Sequence, residues 1–428
     1  MSSESSFYQR EMIDRNSAGT PSTGYLAIAY EIIKSRVQMK IPSSLVRSIS
    51  LALILLINIS ICQSCNEGTD HMVTDYHYSK PEYHNIRLEV TGDVLKLPLD
   101  SLTKPNFSSY SVFQQKGTLF LAFIDKLTNR INIYDVNRRA LVSQISTRNI
   151  KENKSRLAKI TVFVKSFDSI YLNTLLDVYM IDSTGRVKQR IKLPSKPYAA
   201  LSDFNGFSPP VFKSDSMFFA AYPYLDMRKQ KELRKWKRMF ILDWTRKKAE
   251  LAYSLPPFFK ENVYARRYLT TYYCYNNDSS RFVFSLPADS NLYVTKLDDR
   301  QTAYFGGSQY ITEAIPPFTK EEYSNSDKQS LGRYFRDSYG PVYFDSYSNR
   351  YLRVAEQKLT KDKYDQKIFN KKSSLVILDK DFKIIGETEV PDSLNLYTLF
   401  TTNDGIYAKI ETSVNEDTIY FSKLVYKQ

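Results

Sequence analysis

Histidine is almost absent from this 428-residue chain, which contains only three. All three lie within residues 71–84, so the long remainder of the chain has none. Ser-His-Asp and Cys-His catalysis both need an imidazole, and most zinc sites use one as a ligand. The sequence therefore excludes the commonest hydrolase mechanisms from residue 85 onward.

Cysteine is equally scarce, with Cys62 and Cys65 close together and Cys274 isolated. The part of the chain beyond Cys65 therefore has no pair of cysteines that could form an intramolecular disulfide. Cys274 lies in the apolar, strand-like run Tyr268–Tyr275, which predicts a buried thiol rather than a nucleophile.

Glycine-rich motifs are also missing, since glycine occurs only 13 times in the whole chain. No P-loop, GxGxxG, GxSxG, HExxH or EF-hand pattern occurs. We therefore expect no cofactor and no metal ion, and no catalytic residue can be assigned.

The chain lacks an apolar run long enough to span a membrane, because its longest, Ile49–Ile61, covers about 13 residues where a spanning helix needs about 20. Met39, Lys40 and Arg47 precede or begin this run, and no acidic residue lies between Met39 and Cys65. A basic start, a short apolar middle and small residues before a boundary are the parts of an export signal. We predict a signal peptide over residues 39–64.

The boundary Cys62-Gln63-Ser64-Cys65 resembles the lipobox of bacterial lipoproteins, which implies a lipidated Cys65 as the first mature residue. Lipidation would make a membrane the partner of the chain, with the protein anchored to the outer membrane and facing the periplasm or the surface. Cys62 stands where such motifs usually have leucine, so ordinary cleavage nearby is the alternative. We interpret residues 1–38 as a misannotated upstream extension and residues 65–84 as a tether.

Positive charge dominates the predicted mature chain. Residues 1–64 hold six of the 60 basic and four of the 46 acidic residues, which leaves 54 against 42, a net charge of +12. Such a balance favours anionic partners. For an exported protein these are glycans, lipopolysaccharide or phospholipid headgroups, and we expect no nucleic acid.

Aromatic strands are abundant, with 33 tyrosines and 25 phenylalanines, residues that favour β-structure. From Tyr110 onward a unit of an aromatic strand, a polar turn and further strands recurs six times, and four strands a unit is the pattern of a propeller blade. The sixth unit lacks its fourth strand, which Ile86–Leu97 could supply. We predict that residues 85–428 form an all-β, six-bladed β-propeller closed in this way; an irregular β-sandwich or two-domain β protein is the alternative.

The tyrosine-rich, arginine-containing hairpin Tyr339–Arg353 is similar to one in propeller-like families of uncharacterised Bacteroidetes lipoproteins that are classed as domains of unknown function. Together with the lipobox, this resemblance implies a propeller fold and an envelope address over most of the mature chain. Such families have no assigned catalytic residues, so the resemblance implies no site.

Two basic insertions, Asp226–Lys237 and Gln357–Lys372, connect the second and third strands of their blades. A propeller places such connections on one face, where they could form a rim that binds polyanions. A solvated charge run is the alternative interpretation. The candidate ligand-binding residues of this rim are Arg228, Lys229, Arg234, Lys235 and Trp236.

The same face receives the links between blades, two of which contain Pro-Pro-Phe, in Leu255–Glu261 and Ile315–Glu321. Arg266, Arg267 and Tyr268 follow the first of these links and are further candidate ligand-binding residues, because rings stack on sugars and guanidinium groups pair with carboxylates. Strand composition alone would also account for the tyrosines.

These patterns favour a non-enzymatic binding or scaffolding propeller for a glycan, a peptide or another anionic ligand of the envelope. The alternative is a propeller glycoside hydrolase or lyase, which would need two carboxylates roughly 5 to 9 Å apart in its pocket. A pocket without such a pair would contradict the enzyme hypothesis.

Overall fold

The computed structural model describes residues 73–428 except 104–108, 126, 149, 151–159, 195–199, 203, 224–235, 257, 260–261, 263, 265, 297–299 and 412–416. The predicted signal peptide and Cys65 lie outside these residues. In the described part, no helix is long and apolar enough to span a membrane.

The first half of the described chain forms three blades. Two strands precede them, β1 (Val73–His77) and β2 (Arg87–Pro98). Blade 1 comprises β3 (Tyr110–Gln115), β4 (Thr118–Asp125), β5 (Arg130–Asp135) and β6 (Ala140–Ser146). Blade 2 comprises β7 (Thr161–Ser166), β8 (Ser169–Asn173), β9 (Asp177–Ile181) and β10 (Val187–Lys192). Blade 3 comprises β12 (Val211–Lys213), β13 (Ser216–Ala220), β15 (Lys237–Asp243) and β16 (Lys248–Ser254). Two short strands, β11 (Ala200–Leu201) before this blade and β14 (Tyr222–Pro223) between β13 and β15, pair with each other.

The second half forms the other three blades. Following a 3₁₀ helix (Arg266–Leu269), blade 4 comprises β17 (Tyr272–Asn276), β18 (Arg281–Ser285), β19 (Asn291–Thr295) and β20 (Gln301–Phe305). Two helices, α1 (Lys320–Ser324) and α2 (Ser326–Tyr334), precede blade 5. Blade 5 comprises β21 (Ser338–Asp345), β22 (Arg350–Glu356), β23 (Ser373–Leu378) and β24 (Ile384–Val390). A third helix, α3 (Lys361–Asp365), lies between β22 and β23. Blade 6 comprises β25 (Leu394–Thr402), β26 (Gly405–Ile410), β27 (Thr418–Lys427) and β2.

Local sequence determines the hairpins within each blade. Lys116 and Gly117 connect β3 to β4, and both have positive φ, as a tight two-residue hairpin turn requires. At the outer turns, an aspartate at the end of a third strand or directly after it accepts hydrogen bonds from backbone N–H groups of the turn. Three such pairs are Asp135 with Arg138, Asp243 with Arg246, and Asp379 with Asp381. The recurring aspartates of the repeat are therefore turn caps.

The ring is closed by its two ends, because β2 is hydrogen-bonded antiparallel to the last strand, β27. Arg87 pairs with Lys427 at one end of this ladder and Pro98 with Thr418 at the other. The predicted six-bladed propeller, with the outer strand of the last blade supplied by the N-terminal segment, is confirmed.

The segment before β2 differs from the predicted tether. Strand β1 pairs in parallel with β20, so blade 4 has a fifth strand. The chain then follows the outer strand of blade 5, where the Glu82 N–H donates to the Ile384 carbonyl at 3.0 Å and the Glu387 N–H donates to that of Tyr83 at 2.9 Å. Residues 73–84 thus belong to the propeller, because exposed edges of its blades offer unpaired backbone groups. The part of the predicted tether before them lies outside the described residues.

A loop at residues 204–210, which we call the central loop, packs against the inner strands of several blades. The Ser109 hydroxyl of the chain leading into β3 donates to the Phe204 carbonyl at 2.7 Å, and the Tyr273 hydroxyl of β17 donates to the Pro209 carbonyl at 2.8 Å. Phe207 packs edge-on against Tyr397 of β25, with ring centroids 5.7 Å apart. This central loop therefore contacts blades 1, 4 and 6.

Two completely buried arginines lie at seams between blades. Arg353 of β22 crosses from blade 5 to blade 4, where its guanidinium donates five hydrogen bonds. Arg238 of β15 crosses from blade 3 to blade 4, where it donates to the Gln301 side chain and lies 4.0 Å from the Phe284 ring centroid. Both seams thus contain a buried cation in an otherwise largely apolar interface.

Candidate functional site

A cavity of about 440 Å³ lies among the inner strands of five blades, and we call it the axial cavity. Gly206 and Phe207 of the central loop contribute to its wall. Asn277, in the turn after β17, and Thr401, beside the turn after β25, also line it, so it lies at the end of the ring that carries the first hairpin turns. Its other lining residues are Tyr110, Ser111, Val112, Pro209, Pro210, Val211, Phe212, Cys274, Tyr275, Val342, Tyr343, Phe344, Leu399 and Phe400.

The lining of the axial cavity contains aromatic rings, hydroxyls, an amide and a thiol, but no charged side chain. The Tyr110 hydroxyl donates to the Leu399 carbonyl at 3.0 Å and that of Tyr343 to the Leu396 carbonyl at 2.8 Å, so both rings are fixed. Burial raises the pKa of both phenols and of the Cys274 thiol. The cavity is therefore neutral at physiological pH, and Cys274 is the buried thiol that its sequence context predicted.

Gly206 is needed for the shape of this cavity. A β-carbon at this position would lie 2.2 Å from the Tyr110 ring, a separation that no side chain could accept without displacing the loop or the ring. The central loop therefore approaches blade 1 as closely as it does because residue 206 has no side chain.

A groove of about 730 Å³ lies between blades 6 and 1 at the same end of the ring. It contains Thr402, the neighbour of Thr401 in the axial cavity, so the two spaces adjoin at the turn after β25. The groove is charged: the Lys423 ammonium lies 3.1 Å from the Asp404 carboxylate and 3.8 Å from that of Asp93. Its two carboxylates are thus held by a shared lysine.

The opposite end of the ring carries a smaller cavity of about 220 Å³, which we call the charged cavity. Glu356 of β22 is 8% exposed there and accepts hydrogen bonds from the Ser338 hydroxyl at 2.9 Å and the Tyr397 hydroxyl at 3.2 Å. Asp392, Arg333 and Lys371 also line this cavity. It lies beside the 357–372 insertion, on the face that the sequence predicted for ligands.

The structure describes only part of the predicted basic rim. Arg228, Lys229, Arg234 and Lys235 lie outside the described residues, and their part in binding stays a prediction. Trp236 was expected at the surface but is completely buried in the core of blades 3 and 4. The correction has a simple cause, since the indole directly precedes β15, a strand in which Met239, Phe240 and Leu242 are also completely buried.

Arg266, Arg267 and Tyr268 belong to the 3₁₀ helix before blade 4. The side chains of both arginines lie outside the described part of the structure. Tyr268 is 2% exposed, its hydroxyl donates to the Asp337 carbonyl at 3.3 Å, and its ring packs edge-on against Phe318. Tyr268 is therefore a packing residue between two links and not an accessible ligand contact.

The second basic insertion, Gln357–Lys372, is neutralised in part by its surroundings. Lys361 pairs with Asp365 at 2.7 Å and Lys372 with Glu389 at 3.1 Å. Lys371 donates to the Arg336 carbonyl at 2.8 Å. These contacts favour the solvated charge run over a polyanion rim for this segment.

The carboxylates available for an enzyme mechanism have structural partners where they are described. Glu322 closes a capping box with Thr319 and pairs with Arg336 at 2.9 Å, and Asp345 caps the turn after β21. The axial cavity has no carboxylate in its lining. This cavity could not be predicted from the sequence, because its lining comes from five strands and a loop, and the repeated aromatic inner strands were its only signal.

Six blades of four antiparallel strands, one of them extended by the parallel strand β1, define a six-bladed β-propeller with cavities at both ends of the ring. Within that class, the chain belongs to the family described as domain of unknown function DUF4221, whose model matches residues 85–389. The resemblance to a Bacteroidetes family of unknown function is thereby confirmed.

Two solved structures are similar to this chain. A member of the DUF4221 family from Bacteroides vulgatus is similar with a TM-score of 0.69 and 19% identity, over 81% of this chain and 100% of that chain. A Bacteroides fragilis protein named "Putative exported protein" has a TM-score of 0.49 and 12% identity, over 82% of this chain and 100% of that one. No curated protein matches the chain. The first similarity supports the fold.

Proposed function

We propose that the chain is a lipid-anchored protein of the cell envelope, a non-enzymatic propeller that binds a glycan in the axial cavity. The observation that carries this proposal is a neutral cavity of about 440 Å³ lined by aromatic rings together with hydroxyl and amide groups. Small-molecule sites typically occupy about 300–1,000 Å³ and combine apolar walls with a few polar groups. The axial cavity meets both criteria.

Sugar rings present apolar faces and polar edges, and the lining residues complement both. Tyr275 and Phe344 are partly exposed and contribute aromatic rings on which a sugar can stack. Phe212 adds apolar wall, because its own ring is covered by the Lys165 ammonium and packs against Phe163. The Thr401 hydroxyl and the Asn277 amide offer hydrogen bonds to sugar hydroxyls. A charged ligand group would find no counter-ion in this lining, so the part of the ligand inside the cavity is neutral.

The adjoining groove provides room for further residues of the same ligand. Arg139 and Lys423 contribute cations to it and Asp93 and Asp404 contribute carboxylates, so the groove itself is balanced in formal charge. The net charge of +12 of residues 65–428, from 54 basic and 42 acidic residues, favours an acidic glycan outside the cavity. Ligands that extend through the groove should therefore bind more tightly than single sugars.

The hydrolase or lyase hypothesis has less support at this site. Glycosidases need two carboxylates that flank the scissile bond. The axial lining offers none, and Asp93 and Asp404 of the groove both lie close to the ammonium of Lys423. A paired anion of this kind is poorly placed to act as a base or nucleophile, which favours binding without catalysis.

A glycan array probed with the purified full chain tests the ligand class. Replacing Tyr275 or Phe344 by alanine should weaken binding of any array hit about tenfold, the equivalent of about 1.4 kcal/mol. Tyr310→Ala is the matched control, because Tyr310 is 41% exposed and lies outside the lining of all three cavities. Unchanged binding by both cavity variants would contradict the proposal, and cleavage of the bound glycan would restore the enzyme hypothesis.

Lipid anchoring has its own test. Cells that express the chain and grow with a labelled fatty-acid analogue should incorporate label into the wild type but not into Cys65→Ser. A mature N-terminus at another residue, or label that persists in Cys65→Ser, would contradict lipidation. Cys62→Ser is the control, because the proposal removes Cys62 with the signal peptide.

A further inference from the structure

The charged cavity combines two carboxylates and two cations around one small space. Glu356 and Asp392 supply the negative charges, and Arg333 and Lys371 supply the positive ones. The formal charge of these four side chains sums to zero, so a ligand with one net charge would be attracted by one pair and repelled by the other. A ligand that carries both charges gains from both.

Glu356 makes this cavity a built site. Its side chain is held by the hydroxyls of Ser338 and Tyr397, at 2.9 and 3.2 Å, and the residue is 8% exposed while still lining the cavity. A carboxylate fixed in a partly desolvated position attracts an ammonium group more strongly than one in bulk water. Glu356 is therefore preorganised to receive a cationic group.

The two cations of the charged cavity differ from each other in exposure and contacts. Arg333 is exposed in the last turn of α2, where its guanidinium lies 5.0 Å from the Tyr334 ring centroid. Guanidinium pairs with carboxylate in a fork of two parallel hydrogen bonds, which suits recognition of a carboxylate group. Lys371 is oriented by its 2.8 Å hydrogen bond to the Arg336 carbonyl.

Size and walls limit the ligand further. A volume of about 220 Å³ equals roughly seven water molecules at about 30 Å³ each, which is the scale of a free amino acid or a very short peptide. Tyr334, Phe369 and Tyr397 provide aromatic wall, and Phe369 is 47% exposed. Such rings accept an apolar side chain or the face of an ammonium group.

We propose that the charged cavity binds a small zwitterion, an α-amino acid or a dipeptide, with its ammonium group toward Glu356 and its carboxylate toward Arg333. The site lies at the opposite end of the ring from the axial cavity and recognises charged rather than neutral groups. It is therefore independent of the glycan-binding function.

Calorimetric titration of the full chain tests the ligand class with chemically matched probes. L-leucine should bind, whereas N-acetyl-leucine, which lacks the ammonium group, and leucinamide, which lacks the carboxylate, should each bind at least tenfold more weakly, about 1.4 kcal/mol. Equal affinity for all three would contradict the proposal. So would absence of heat with glycine, leucine and alanyl-alanine at concentrations of about 10 mM, because two charge-assisted contacts should give at least millimolar affinity.

Variants assign the two ends of the ligand. Arg333→Gln changes an exposed side chain, so folding should be unaffected, and it should weaken leucine at least tenfold while leaving leucinamide unchanged. Glu356→Gln should weaken leucine and leucinamide together. Lys361→Gln is the matched control on the same face, because Lys361 is exposed and lies outside the cavity lining. Tyr275→Ala should leave leucine binding unchanged, and loss of binding in that variant would contradict the independence of the two sites.

Discussion

Arg353 and Arg238 are both completely buried at seams that blade 4 makes with its neighbours, yet their polar surroundings differ. Arg353 donates to the Ser285 hydroxyl and to four backbone carbonyls, and its guanidinium lies 3.9 Å from the Tyr339 ring centroid. Among the described residues, Arg238 donates only to Gln301, and its Nε and Nη1 atoms have no acceptor. Burial lowers the pKa of each guanidinium to about 10, so both are charged at neutral pH.

The difference shows when a buried charge stabilises a seam. Removing a guanidinium from water is unfavourable by several kcal/mol, and only full hydrogen bonding offsets that penalty. Arg353 meets this condition with five hydrogen bonds, which include the only described donors to the Asp289 and Gly306 carbonyls. The Leu286 and Ser290 carbonyls also accept backbone N–H groups. Arg238 meets it in part, so its seam should depend on apolar packing more than on the charge.

The largest expected effect is at the fully bonded arginine. Arg353→Met should lower the free energy of unfolding by about 3–5 kcal/mol, because the Ser285 hydroxyl and the Asp289 and Gly306 carbonyls lose a donor inside the protein. Arg353→Lys should recover little of this loss, since an ammonium group has three donors in place of five. Urea denaturation at neutral pH measures both. A change below about 1 kcal/mol in Arg353→Met would show that water replaces the guanidinium and that the seam does not depend on it.

A smaller effect is expected at Ser285, the side-chain acceptor of the same network. Its hydroxyl accepts from Arg353 Nε at 3.0 Å and donates to the Gly340 carbonyl at 2.7 Å. Ser285→Ala should cost about 1–3 kcal/mol, because both groups stay buried and lose a partner. A double-mutant cycle with Arg353→Met should give a coupling energy of about 1 kcal/mol or more, and additive effects would separate the two residues.

Glu387, at the seam between blades 4 and 5, should make the free energy of unfolding depend on pH. It accepts hydrogen bonds from the Ser308 and Ser374 hydroxyls and from the Gln309 N–H, and burial raises its pKa above the ordinary 4.5. Since the folded state then binds the proton more tightly than the unfolded state, this group's contribution is full below pH 4.5 and is lost as pH rises through the folded pKa. Glu387→Gln should remove that part of the pH dependence of unfolding. A parallel pH profile in both proteins would contradict the assignment, and Glu389→Gln, at an exposed site, is the control.

Much of this fold could be predicted from sequence, because strands with aromatic period-2 patterns and polar turns depend on local interactions. The closing role of β2 could also be predicted, because the last repeat has one strand fewer than the others and Ile86–Leu97 was the unassigned strand segment. Trp236 and Tyr268 could not be placed, since composition does not distinguish a basic, aromatic surface from an aromatic core. Arg353 stood inside the apolar run Leu352-Arg353-Val354, an interior position that hints at burial, but its acceptors lie 47 to 68 residues away in the chain.

The smallest expected effect is at Arg238, and it tests the comparison most directly. Arg238→Met removes a buried charge with two unsatisfied donor atoms and leaves the Gln301 carbonyl oxygen without its guanidinium partner, two changes of opposite sign. Methionine keeps apolar contact with Phe284, so the free energy of unfolding should change by less than about 1 kcal/mol in urea denaturation. A loss as large as that of Arg353→Met would mean that Nε and Nη1 bind water or a small anion in solution. In that case the wild type, but not the variant, should gain stability with added chloride, and the two seams would depend on buried charge in the same way.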